Sequence, residues 1–304
     1  MYNININHLI KLSSILVYLI PFVILTGPFL PDLFLCITVI IFLYNSLLEK
    51  KYKYFLNYFS YFLFIFNFYL IINSMFASSP YLSFETSLVY FRFGVFSLAV
   101  WYLIEHNKNF LKSFCIFLTL SFILSILSGY YQFFSGENFF GMKPLYENRL
   151  ILVFDDKMIL GGYLSRLFPL LIGLLIYIFK PSKKYYLLVC LLFVMVDVVV
   201  FITGERTALG LMFISTTFII IFMSNFRILR LITAITSVLI ITLITIFSTS
   251  IKERNFDQTM KQIGIDPSSE RIYMISDVHE IHYLTSYKMF LKNPIFGIGV
   301  NQFS

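Results

Sequence analysis

Charge is what this sequence has least of. Only 13% of its 304 residues are Asp, Glu, Lys or Arg, against about a quarter in soluble globular domains. So few charges cannot cover a water-facing surface. That excludes an ordinary soluble domain and leaves a chain whose outer surface faces lipid. Cysteine is scarce too: Cys36, Cys115 and Cys190 each sit inside an apolar run, far apart in sequence. Their spacing offers neither a disulfide framework nor a zinc site, and they read as small packing residues. A basic stripe is missing as well. The net charge is +7, but most lysines fall in short loops between apolar runs, which the positive-inside rule explains without a nucleic-acid partner. No small-residue cleavage site comes after the first apolar run, where Thr26-Gly27-Pro28-Phe29 stands. That run is expected to be a retained span and not a signal peptide.

What is abundant is apolar residues, 59% of the chain, giving a mean hydropathy of +0.82. A spanning helix needs about 20 mostly apolar residues. About nine such stretches can be placed, through 10–28, 31–48, 54–76, 87–104, 110–133, 161–179, 185–203, 208–223 and 231–250. The expected fold is therefore all-α, a polytopic transmembrane helical bundle over residues 1–250. Residues 251–304 are the first extended polar region and read as the start of a periplasmic loop segment, incomplete at its end. Tyrosines near several span ends, such as Tyr52, Tyr54, Tyr58, Tyr185 and Tyr186, suit the membrane interface.

The loops fall into two alternating classes. One is short and basic: Lys50, Lys51 and Lys53, then Lys108 and Lys112, then Lys180, Lys183 and Lys184, then Arg227 and Arg230. The other holds Asp32, Glu85, the stretch from Glu137 to Lys157, Gly204-Glu205-Arg206, and everything after Ser250. The alternation puts the N-terminus and the lysine loops in the cytoplasm and the second class outside.

Four arginines stand in or beside outer segments. Arg149 lies in the 134–160 loop, Arg166 just inside the next span, Arg206 in a tight turn between two spans, and Arg92 inside the fourth span. A charge in a membrane segment costs about 2.5–3.5 kcal/mol on insertion scales, so it faces protein or water and carries a role. A guanidinium keeps its charge and offers a planar fork to phosphate. Each arginine also has a plain alternative. Arg92 and Arg166 can snorkel or pair with Glu85, Asp155 or Asp156, and Arg206 can pair with adjacent Glu205. The acids can act as bases or orient arginines; the neighbouring Asp155 and Asp156 point apart, which argues against a metal site. His279 and His282 share a helix face at three-residue spacing. A neutral imidazole there can take a proton from a sugar hydroxyl, or can simply belong to a polar surface helix.

Three stretches resemble the O-antigen ligase and O-antigen polymerase family of bacterial membrane proteins. The first runs from Asn148-Arg149-Leu150 through Phe154-Asp155-Asp156 to Gly161-Gly162-Tyr163-Leu164-Ser165-Arg166-Leu167-Phe168-Pro169. Thr203-Gly204-Glu205-Arg206-Thr207-Ala208 is the second. The third runs from His279-Glu280-Ile281-His282-Tyr283 to Asn293-Pro294-Ile295-Phe296-Gly297-Ile298-Gly299. The resemblance covers roughly residues 80–304. It implies a glycosyltransferase-like enzyme of the bacterial inner membrane, with its N-terminus cytoplasmic, acting at the periplasmic face. Such proteins move a glycan from a polyprenyl diphosphate to an acceptor glycan, either the lipid A core or a second carrier-linked repeat. Arginines hold the diphosphate, so no cofactor or metal is implied. By motif, Arg206 would contact the diphosphate, and Arg149 and Arg166 would line the same cavity. Family members continue past Gly297-Ile298-Gly299 into a His-Asn-containing motif and further spans, where the base is usually placed. The sequence stops short of that motif, so a fragment with an incomplete site is expected. The base is left unassigned, with His282 and Glu205 as weak candidates. The rival expectation is a flippase for lipid-linked oligosaccharide, or another membrane transporter. It calls for paired broken helices and charges near the midplane.

Overall fold

The computed structural model describes residues 6–145, 149–180, 182–248, 277–294 and 297–302, with a few single positions between 252 and 260. Eleven α-helices occur among them: α1 (Ile6–Val23), α2 (Phe29–Leu48), α3 (Tyr58–Met75), α4 (Pro80–Val89), α5 (Phe91–His106), α6 (Phe110–Ser135), α7 (Leu160–Ile178), α8 (Lys183–Ile202), α9 (Arg206–Phe222), α10 (Ser224–Phe247) and α11 (Asp277–Lys292). No strand occurs among the described residues. Eight helical stretches are long and apolar enough to cross a membrane, with α4 and α5 together forming one of them and α9 falling short at 17 residues. The architecture is an all-α, polytopic bundle.

Two span boundaries differ from expectation. The fourth span begins at Pro80, seven residues before residue 87, because proline opens α4 at its first position, where a missing N–H costs nothing. The last described span begins at Ser224 and takes in Arg227 and Arg230, which the charge pattern assigns to a basic loop. Arg230 is not a loop residue: it is only 1% exposed.

The chain divides into two compact units. One comprises residues 1–17, 31–110 and 262–304, the other residues 18–30 and 111–261. Helix α11 groups with the earlier helices of the first unit.

In the first unit, α3, α4 and α5 pack together. Asn57 starts α3 by accepting the Ser60 N–H at 3.0 Å, which satisfies one of the donors a helix start leaves orphaned. At the turn after α3, Ser74, Ser83 and Ser87 form a buried hydroxyl chain with links of 2.9 and 3.0 Å.

In the second unit, α10 packs on α8 and α9, and α7 packs on the same two. Phe168, Phe193, Val196, Val199 and Leu164 form the centre of its core. Helix α10 turns its middle polar residues inward, beside the core residue Phe226, and keeps several isoleucines outward. Arg230, Thr233 and Ser237 are buried, while Ile228, Ile232, Ile235 and Leu239 are exposed. Lipid is as apolar as those isoleucines, so the cohesion between helices comes from close packing and polar pairs.

Part of the 134–160 connection is buried within the protein. Leu150, Ile151, Leu152 and Val153 are all buried, although they are not helical. Side chains satisfy their backbone groups. Gln132 on α6 accepts the Ile151 N–H at 2.9 Å and donates to the Ile151 carbonyl at 3.0 Å. Asn138 donates to the Leu152 and Val153 carbonyls at 3.3 and 3.1 Å. Irregular backbone inside such a protein is tolerable only when it is paired in this way. The segment is thereby fixed, and it carries Arg149 at its start.

Candidate functional site

The turn between α8 and α9 is where the site begins. Gly204 adopts φ +69°, a left-handed conformation that glycine takes without a Cβ penalty. It turns the chain so that Glu205 precedes α9 and Arg206 is its first residue. The Glu205 carboxylate bonds to the start of α7. Its Oε1 accepts the Gly161 N–H at 2.7 Å and its Oε2 accepts the Gly162 N–H at 2.9 Å. Glu205 thus occupies the N-terminus of α7, where orphan amides and the helix dipole favour an anion. Glycine is required at 161: a Cβ there would stand 2.5 Å from Thr203 Oγ1 and 3.0 Å from Glu205 Oε1.

Two arginines reach the same carboxylate. Burial pushes the Glu205 carboxyl above the usual range. The two glycine amides and the charges of Arg149 and Arg166 pull it back down. Arg149 also interacts electrostatically with Arg206. Three of the four arginines singled out in the sequence are therefore linked at the starts of α7 and α9: Arg149 and Arg166 act on Glu205, and Arg149 acts on Arg206. Arg166 is exposed, while Arg149 and Arg206 are half-buried. Two cations act on one carboxylate, a third neighbours one of them, and Glu205 joins the starts of α7 and α9. The local excess of positive charge is about two units, presented by groups that suit phosphate oxygens.

Opposite ends of α8 carry opposite character. Lys183 and Lys184 begin the helix, and Glu205 comes after its end, closing a three-residue turn. At about 1.5 Å per residue, its 20 residues span roughly 30 Å, the thickness of a bilayer core. Asp155, beside this cluster in sequence, pairs with Lys157 at 3.5 Å. Among the described residues no three His, Cys, Asp or Glu side chains gather as a metal site would need.

The fourth arginine is elsewhere. Arg92 belongs to the first unit, where its guanidinium meets Asp32 at 2.9 Å. Its partner is none of the three acids proposed from the sequence. His282 lies on α11, in the first unit, and is exposed. The side chain of His279 lies outside the described residues, as do Asn148, Ile295 and Phe296. Both oxygens of Glu205 are engaged by backbone amides, so its place is that of an organiser of the cluster and not of a free base.

One charged pair is not foreseen in the sequence. Arg230 on α10 grips Asp197 on α8 through both ends of its fork, at 2.8 and 2.9 Å. Ser237 donates to the same carboxylate at 2.9 Å, and Thr216 on α9 takes a further hydrogen bond from the guanidinium. The Phe193 ring lies 4.6 Å from the guanidinium carbon. A signal is present: a lone aspartate inside an apolar run demands a partner. Spacing does not tell which arginine supplies it.

No family model, curated protein or solved structure matches the chain.

Proposed function

We propose that this protein is a glycosyltransferase of the O-antigen ligase or polymerase type in the bacterial inner membrane. It takes glycan from a polyprenyl diphosphate at the periplasmic face and passes it to an acceptor glycan. The carrying observation is the Arg166–Glu205–Arg149–Arg206 series of neighbouring charges at the starts of α7 and α9, with Glu205 bonded to the Gly161 and Gly162 amides. In the reaction, the bond from the sugar's anomeric carbon to the diphosphate oxygen breaks. A bond to the acceptor hydroxyl oxygen forms, and the hydroxyl proton goes to a base. Negative charge grows on the departing diphosphate, and fixed guanidinium groups stabilise it better than reorienting water can. The role of Glu205 is to hold the arginines in place while leaving them a net positive charge. The orientation rests on Lys183 and Lys184 at the far end of α8, which are taken as cytoplasmic by the positive-inside rule.

A second reading, a flippase for lipid-linked glycan, draws on the Arg230–Asp197 pair inside the spans. That pair is already bound by Ser237 and Thr216, which fits a structural clamp better than a transport site. Arg206→Ala at the native locus separates the two readings. Loss or shortening of surface polysaccharide on a gel, with carrier-linked glycan accumulating at the outer leaflet, is expected. An unchanged ladder would overturn the enzymatic reading, and accumulation at the inner leaflet would favour the flippase.

A further inference from the structure

Helix α11 has no place among the spans. Its 16 residues include Asp277, Glu280, Lys288 and Lys292, too many charges for a hydrocarbon core. Yet Tyr283, Leu284, Tyr287, Phe290 and Leu291 are all exposed, between 49% and 62%. At 100° per residue these five fall within an arc of about 120°, an apolar face over residues 283–291 that Glu280 interrupts in the first turn of the helix. The half-buried residues Thr285 and Met289 lie on the opposite side of the helix. The apolar face is therefore turned away from the rest of the first unit.

Residues 297–302, just past α11, constrain its position. Gln302 both accepts the Ser79 N–H at 2.9 Å and donates to the Ser79 carbonyl at 3.1 Å. A Cβ on Gly299 would stand 2.4 Å from the Ala77 Cβ. Ala77 and Ser79 form the turn between α3, which ends at Met75, and α4. The Gly297 N–H donates to the Asn293 carbonyl at 2.8 Å. The segment that ends α11 is thus pinned to the end of a membrane span.

We infer that α11 is an interfacial helix, lying in the membrane surface at the α3–α4 end of the first unit, with its Tyr283–Tyr287–Phe290 face in the acyl boundary. Tyrosine is the side chain suited to that depth, with its ring in the apolar layer and its hydroxyl among headgroups. Lys288 is exposed beside the apolar arc, where its ammonium group can reach anionic headgroups. A helix too polar to span but apolar along one face has this as its stable place.

The test uses the full chain in vesicles of phosphatidylethanolamine and phosphatidylglycerol. Cys36, Cys115 and Cys190 are replaced by alanine, and a spin label is attached in turn at Tyr287→Cys, Phe290→Cys and Ser286→Cys. Labels at 287 and 290 should collide several-fold more often with oxygen dissolved in lipid than with an aqueous nickel chelate. The label at 286 should show the reverse. Equal access of nickel to all three, or shielding of 287 and 290 from both colliders by a protein surface, would overturn the inference. If loss of the cysteines unfolds the chain, Tyr287→Trp in a Trp101→Phe background gives the same reading. Brominated lipid should then quench its fluorescence, and absence of quenching would overturn the inference.

Discussion

The second unit holds arginine and carboxylate together in two places, and the two could hardly be surrounded more differently. At Asp197, one arginine meets one carboxylate, both oxygens are gripped, and Ser237 and Thr216 add further bonds, with only the Arg230 Nε buried and unbonded in the set. At Glu205, Arg149 and Arg166 act on one carboxylate whose oxygens are taken by Gly161 and Gly162, and Arg206 adds a third cation beside Arg149. The first set is neutral and sealed between helices. The second has cations to spare and partial exposure. A charge pair that is complete has no need of a ligand; one that is overbalanced toward the positive has capacity for an anion. The arginine content of a membrane protein therefore says little until each guanidinium has been assigned its counter-charge.

The largest effect should come from breaking the sealed pair. Asp197→Ala leaves Arg230 buried without its carboxylate, at a cost of about 3–5 kcal/mol. Thermal unfolding in detergent should show it, and the double change Asp197→Leu with Arg230→Met should recover most of the loss. If Asp197→Ala unfolds like the wild type, the pair is not the clamp described. Next comes Gly161→Ala. The new methyl has to displace Thr203 or Glu205, an overpacking of about 1–3 kcal/mol. It should weaken both stability and phosphate recognition, whereas Gly173→Ala, whose Cβ would meet nothing within 4 Å, should change neither. Asn138→Ala strips the Leu152 and Val153 carbonyls of their donor and should cost about 1–3 kcal/mol, the desolvation penalty of unpaired groups. A wild-type melting curve for this variant would show that the buried segment does not depend on that side chain.

The smallest effect concerns pH. Burial raises the Glu205 carboxyl above its ordinary value, so the folded protein binds that proton more readily than the unfolded chain. The associated stability is present below the ordinary carboxylate range and is lost as pH rises through the raised value. Glu205→Gln should remove this slope from a plot of melting temperature against pH, and Asp156→Asn should leave it. A slope that persists in Glu205→Gln would place the titrating group elsewhere.

Much of the fold is legible in the amino-acid sequence. Apolar runs of about 20 residues locate the spans, since hydrocarbon thickness sets their length. Arg149, Arg166 and Arg206 stand out because charges are so rare in this chain. What composition cannot convey is pairing. Arg230 falls into a loop class in the sequence because the loop rule counts positive charge without knowing that Asp197 neutralises it. Arg92 has three candidate partners by position and takes a fourth, Asp32, which precedes it by 60 positions. The buried stretch Leu150–Val153 looks like part of an outer connection. Its insertion depends on Gln132 and Asn138, two amides whose partners are backbone groups and leave no pattern in sequence. Glu205 stands beside Arg206 in the chain, yet its main engagement is with glycines 43 and 44 residues earlier.

Everything proposed for the site depends on the overbalanced cluster holding a diphosphate. The direct measurement is the affinity of the purified chain for a polyprenyl diphosphate, in wild type, Arg206→Ala and Arg227→Ala. Each charge-assisted hydrogen bond is worth about 1.5–3 kcal/mol, so Arg206→Ala should bind at least about tenfold more weakly, with Arg227→Ala unchanged. Equal affinity in all three proteins would contradict diphosphate binding at the cluster.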